Sequence, residues 1–153
     1  TVVTSAAGYP LDKTYYQTVK GMVGAMDILA PGGELIIVSE CSEGIGSLEF
    51  AESQRRLVDL GPKAFLESIL KKSHASIDEW QTQMQLKPMA IGGITLCTTG
   101  LNPDDHSLTG VRVVSSLDEA VAESVSRGDG SIAVIPEGPY VVPFFREPVS
   151  AAT

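Results

Sequence analysis

Histidine and cysteine occur only twice each in this chain and tryptophan once, and these scarcities narrow its chemistry before any motif is read. His74 and His106 stand far apart, as do Cys41 and Cys97, so neither pair has the spacing of a metal site. A chain of 153 residues with two isolated thiols belongs in a reducing compartment rather than among disulfide-stapled secreted domains. Basic residues are few as well, 11 Lys and Arg against 19 Asp and Glu, for a formal charge of -8. No basic stripe exists to neutralise phosphates, which argues against nucleic acid or an anionic membrane surface as partner. There is no run near the roughly 18 apolar residues that a bilayer span needs, and no signal-peptide pattern, so a cytoplasmic protein without membrane contact is expected. An initiator Met is missing too. The chain opens directly inside a strand-like run, and we expect residues 1–153 to form a single α/β domain of a longer polypeptide.

Hydrophobic residues make up 43% of the chain, enough for a real core, and they fall in short runs that alternate with helical patterns. Thr1-Val2-Val3-Thr4-Ser5, Glu34 to Ser39, Ile94 to Thr98, Val111 to Val114 and Ser131 to Ile135 read as strands. A helix follows the turn and N-cap residues Gly8, Pro10 and Asp12, and Ala30-Pro31-Gly32-Gly33 stops it. From Ser47 to about Lys72 the pattern is mainly helical, divided by Gly61-Pro62. Two Ser-x-x-Glu capping boxes, Ser76 to Glu79 and Ser116 to Glu119, open further helices, the first ending or kinking at Pro88 and the second closing near Gly128. The tail, with Pro136, Pro139, Pro143 and Pro148, reads as an extended segment. Strands alternating with helices predict a three-layer α/β/α fold around a mostly parallel, Rossmann-like sheet.

Chemistry-bearing residues concentrate between Gly8 and Lys20. On a wheel of about 100° per residue, Tyr15, Val19, Met22, Val23, Met26 and Leu29 share one apolar arc. Lys13, Gln17, Lys20 and Gly24 fall opposite, with Tyr16 at the border. Ligands of open α/β sheets bind outside the carboxyl ends of the strands, beside the helices that follow. A phenol, an amide and an ammonium at Tyr16, Gln17 and Lys20 share one patch there, suited to a carboxylate or hydroxyl group; the same residues also read as an ordinary solvated helix face. The loop Glu40-Cys41-Ser42-Glu43-Gly44-Ile45-Gly46 is the second candidate wall. Its Gly-x-Gly lacks the third small residue of a dinucleotide fingerprint, Glu49 standing in that place. Glu40 and Glu43 read as a solvated pair or as catalytic carboxylates, and Cys41, without a neighbouring His or basic cluster, as a small buried residue. Trp80, with Ile77 and Met84, makes an i, i+3, i+7 stripe that reads as core. His106, beside Asp104 and Asp105, reads as a surface residue.

The words TSAAGYPLDKTYYQTVKGM and SECSEGIGSLEF, followed by a helix carrying Trp80, resemble the C-terminal domain of the nickel-dependent lactate racemase family over most of the chain. The resemblance implies that Tyr16, Gln17, Lys20 and Trp80 line a substrate site. It implies a two-domain enzyme, an isomerase that inverts a carbinol carbon of a small 2-hydroxy acid by transient hydride transfer to a nickel-pincer nucleotide. That cofactor would be bound mainly by the N-terminal domain of the same polypeptide, which would also carry the catalytic residues, with none in this chain. The isolated chain is then expected to be folded and inactive. Two other readings stand beside it: a noncatalytic ligand-binding or interaction domain, and a stand-alone hydrolase using Glu40, Glu43 or Cys41.

Overall fold

The computed structural model describes residues 1–128 and 130–144. Five short strands, β1 (Val2–Ser5), β2 (Glu34–Val38), β3 (Gly93–Cys97), β4 (Arg112–Val114) and β5 (Ala133–Ile135), form one sheet in the order β4-β3-β2-β1-β5, and every pair is parallel. Parallel strands need crossovers: α1 (Tyr15–Ala25) joins β1 to β2, α2 (Leu48–Leu70) and α3 (Glu79–Met89) join β2 to β3, the 3-10 segment Pro103–Thr109 joins β3 to β4, and α4 (Leu117–Arg127) joins β4 to β5. The steps from β1 to β4 all move the same way across the sheet, so right-handed crossovers put α1, α2 and α3 on one face. The connection from β4 to β5 returns across the sheet and carries α4 to the other face. Burial agrees: the consecutive residues Leu35, Ile36 and Ile37 point alternately up and down, yet all three are inaccessible to solvent. Leu35, Ile37 and Leu96 join Tyr15, Val19 and Met22 of α1 in the main core. The expected three-layer parallel architecture is thus the observed one, with its winding reversing between β1 and β5. No helix among the described residues is long and apolar enough to cross a membrane.

Several local expectations need correction. Thr14, not Asp12, is the N-cap of α1, its side chain accepting from the Gln17 N–H. The division of α2 falls where expected, at Gly61, whose φ of 76° and ψ of 163° break the helix before Pro62. The Ser76 box is only half made. Glu79 accepts from the Ser76 N–H, but Asp78, at φ 58°, is the residue that precedes the helix, and it makes no side-chain cap. The tail is not wholly extended, since Gly138–Tyr140 forms a 3-10 turn against α1. Pro148 lies outside the described residues. Gly24, expected on the polar side of α1, instead receives this tail: a Cβ there would stand 2.2 Å from the Gly138 carbonyl oxygen.

Candidate functional site

The two loops expected to wall a site are laced together by their backbones. The Cys41 and Glu43 N–H groups donate to the carbonyls of Asp12 and Lys13, and the Tyr15 and Tyr16 N–H groups donate to those of Gly44 and Ile45. Lys13 and Glu43 add an ion pair across the same seam. One consequence concerns the start of α1, whose first donors are spent on the second loop and on Thr14. With those donors spent, an anion has to be met by side chains on the flank of α1, where it meets the starts of α2 and α3.

There the four sequence-selected residues come together. Lys20 Nζ donates to Gln17 Oε1 at 2.6 Å, the i, i+3 spacing bringing the two groups alongside. The same ammonium lies 5.7 Å from the centre of the Tyr16 ring, within cation–π range. Tyr16 stands edge-on to Trp80, ring centres 6.2 Å apart, and edge-on to Phe50 at 5.1 Å. Such edge-to-face pairs fix ring orientation as well as burying area. The Tyr16 carbonyl accepts from Gln81 Nε2 at 2.7 Å, and Gly46 leaves room for the ring, because a Cβ there would meet the Tyr16 Cβ at 2.9 Å. Burial first, and then the neighbouring Asp78 carboxylate, push the Tyr16 phenol above its ordinary value, so it stays a neutral donor. Trp80 is 48% exposed and Ile77 71% exposed, so of the stripe read as core only Met84 packs against it. The inward residues of α3 include the polar Gln81, Thr82 and Gln85 as well as Leu86.

Trp80 is held in place by its neighbour. Glu79 is only 3% exposed and pairs with Arg56 of α2 and with Lys72 just beyond it. Burial alone would raise its carboxyl, but hydrogen bonds from Lys72, Arg56 and the Ser76 N–H outweigh it and hold the group below the ordinary 4.5. A carboxyl lowered in the folded state stabilises fully above its unfolded value and loses that contribution as pH falls through the folded value. Urea-unfolding midpoints of the wild type should therefore exceed those of Glu79→Gln near pH 7, and the gap should close below about pH 4.5. A gap independent of pH would show that the pairing contributes nothing.

The remaining candidates are separate from this cluster. Cys41 is buried, its thiol pushed up by burial and hydrogen-bonded with Ser39 and Thr18, which suits packing and not nucleophilic attack. Glu40 is exposed, and Glu43 is committed to Lys13. His106 Nε2 lies 3.3 Å from the Leu101 carbonyl, and His74 is exposed beside Ser73. Among the described residues no three His, Cys, Asp or Glu side chains cluster as a metal-binding set. Asp78 was not selected from the sequence, yet it accepts from the Tyr16 hydroxyl at 3.4 Å and from Ser47 Oγ at 2.6 Å, and lines the same hollow. An Asp between a capping Ser and a buried Glu carried no periodic signal that could have found it.

By fold and surface this is a Rossmann-like α/β domain that gathers an ammonium, an amide and two aromatic rings on an open helix flank. Comparison with known proteins narrows the class. The family model of the lactate racemase C-terminal domain matches residues 1–142, and the chain belongs to that family. It is 31% identical over 145 residues to the lactate racemase of Thermoanaerobacterium thermosaccharolyticum, covering 92% of this chain and 34% of that protein. It is 27% identical over 144 residues to the lactate racemase of Lactiplantibacillus plantarum, again over 92% of this chain and 34% of that one. The solved structure of the lactate racemase apoprotein from T. thermosaccharolyticum superposes with a TM-score of 0.80 at 29% identity, covering 95% of this chain and 35% of its own. The chain thus spans about a third of the length of the curated relatives it matches.

Proposed function

We propose that this chain is the substrate-facing C-terminal domain of a cytoplasmic two-domain racemase or epimerase of 2-hydroxy acids, completed by an N-terminal domain of the same polypeptide. The observation that carries this reading is the contiguity of Lys20, Gln17, Tyr16 and Trp80. Lys20 supplies the positive charge that a substrate carboxylate needs, and Gln17, already accepting from Lys20, keeps that ammonium aimed and has its own NH2 group to offer a hydroxyl. Inverting a carbinol carbon requires holding both enantiomers by the groups they share, the carboxylate and the hydroxyl, while the flattened carbon is kept dry. Tyr16 and Trp80 form the apolar wall for that purpose. The half-exposed Trp80, with Ile77 and Leu48 more exposed still, is the surface on which we expect the rest of the enzyme to close.

The donor set of the α1 flank suits an anion and not a nickel ion, and among the described residues we assign no ligand to the metal. The nickel-pincer nucleotide supplies the hydride acceptor when bound, and we assign its binding to the N-terminal domain. Trp80→Ala in the full-length enzyme tests the wall. Turnover of the preferred 2-hydroxy acid should fall about tenfold, while the melting temperature drops only a few degrees because half of the ring is already in solvent. Normal turnover would remove Trp80 from the site, and a collapse of the melting temperature would make it a packing residue.

A further inference from the structure

The hollow beside Tyr16 bears on the charge of the substrate, an inference that rests on the racemase reading above. It is a shallow, solvent-open hollow of about 400 Å³ lined by Thr14, Tyr16, Glu43, Gly46, Ser47 and Asp78. Two of these are carboxylates and none is a cation. Lys13 pairs with Glu43, but no cation lies within ion-pair distance of Asp78 among the described residues. Its partners are neutral. Ser47 Oγ accepts the Phe50 N–H that starts α2, so its one proton goes to Asp78 Oδ2, and the Tyr16 hydroxyl donates to Oδ1. Neutral donors occupy lone pairs of Asp78 and leave its charge in place. The ammonium of the site, on Lys20, lies instead over the Tyr16 ring and is tied to Gln17. The surface is therefore divided, one cation on the α1 flank and, across the Tyr16 ring, an anion with no ion-pair partner among the described residues.

We propose that Asp78 selects substrates by charge: the site takes a 2-hydroxy acid whose single carboxylate meets Lys20 and whose remaining chain, neutral and hydroxyl-bearing, enters the hollow, and it rejects 2-hydroxy dicarboxylates. A second carboxylate in the hollow faces the Asp78 charge directly, a like-charge contact that the partly screened site does not neutralise. A hydroxyl-bearing chain finds acceptors on Asp78 and hydroxyl partners on Ser47 and Thr14.

The test compares wild-type full-length enzyme with Asp78→Asn, using glycerate (2,3-dihydroxypropanoate) and malate as probes. Asparagine tolerates the left-handed backbone at φ 58°, keeps an acceptor for Ser47 and turns its NH2 toward the Tyr16 hydroxyl oxygen, reversing that one hydrogen bond, so the variant removes the charge and keeps the shape. The ratio of kcat/KM for malate over glycerate should rise about tenfold, and the calorimetric Kd for malate should fall with it. A ratio unchanged within twofold, a wild type that prefers malate, or a wild type that racemises another 2-hydroxy acid but not glycerate, overturns charge selection and leaves the racemase reading standing. A wild type that interconverts the enantiomers of no 2-hydroxy acid overturns that reading and this inference with it. Should Asp78→Asn fail to fold, Asp78→Gly, which suits the same backbone conformation, is judged by the same ratio.

Discussion

Lys20→Ala in the full-length enzyme should lower kcat/KM for racemisation by roughly 30- to 900-fold and leave the melting temperature where it was. The activity figure follows from losing one charge-assisted contact to the substrate carboxylate in a closed site, about 2 to 4 kcal/mol of transition-state binding. The stability figure follows from the local structure, where Lys20 is exposed and its partners are Gln17 Oε1 and the Tyr16 ring. Surface contacts of this kind contribute only tenths of a kcal/mol to folding. Lys20→Arg keeps the charge on a longer, planar group and should recover only part of the loss, because the Gln17 contact is set by a compact ammonium. Chiral chromatography of the reaction and a thermal melt of the same preparation read both quantities. Normal rates in Lys20→Ala would mean that the carboxylate is bound by something else, and the role given to the α1 flank would fall.

Gly24→Ala carries the largest expected effect on stability. In an exposed helix interior this change stabilises by about 0.5–1 kcal/mol. Here the added Cβ would stand 2.2 Å from the Gly138 carbonyl oxygen and 3.0 Å from its carbon, and both are backbone atoms that cannot rotate away. Gly138 is itself hemmed in, since a Cβ on it would meet Thr4 Oγ1 at 2.4 Å and the Ser5 carbonyl at 3.0 Å. The 3-10 turn at Gly138–Tyr140 must therefore leave α1 or the helix must shift, and we expect a net loss of about 2 to 3 kcal/mol, a fall in Tm of roughly 5 to 10 °C. Differential scanning calorimetry reads it directly. A variant as stable as the wild type would mean that the tail does not pack on α1 as described.

What could be read in the sequence and what could not divide along sequence distance. The β-branched runs, the Gly and Pro stops and the Ser116 box are local signals, and each produced its element nearly where expected. The α1 patch was legible for the same reason: Gln17 and Lys20 are one helical turn apart, so their meeting follows from periodicity alone. Trp80 entered only through the family word, because its spacing to Ile77 and Met84 imitates a core stripe, while Trp80 and Ile77 are exposed and the inward side of α3 mixes Gln81, Thr82 and Gln85 with Leu86. Those inward residues meet partners that periodicity does not report, such as Gln54 for Gln85 and the Tyr16 carbonyl for Gln81. Asp78 escaped notice because it meets Tyr16 across 62 residues and because the capping-box pattern pointed to Ser76. Gly24 was misread by the wheel, which reports the face of a helix and is blind to a tail that returns more than a hundred residues later.

The account's central claim is that this domain is the substrate half of a nickel-dependent 2-hydroxy acid racemase. The most direct measurement is made on the natural gene product purified from its source: intact mass, nickel content and absorption spectrum on one sample. The account predicts a polypeptide much heavier than the 16.2 kDa of this chain, with about one nickel per chain and a pyridinium-type chromophore. A product of the mass of this chain, with neither nickel nor chromophore, would contradict it and leave a small α/β binding domain in its place.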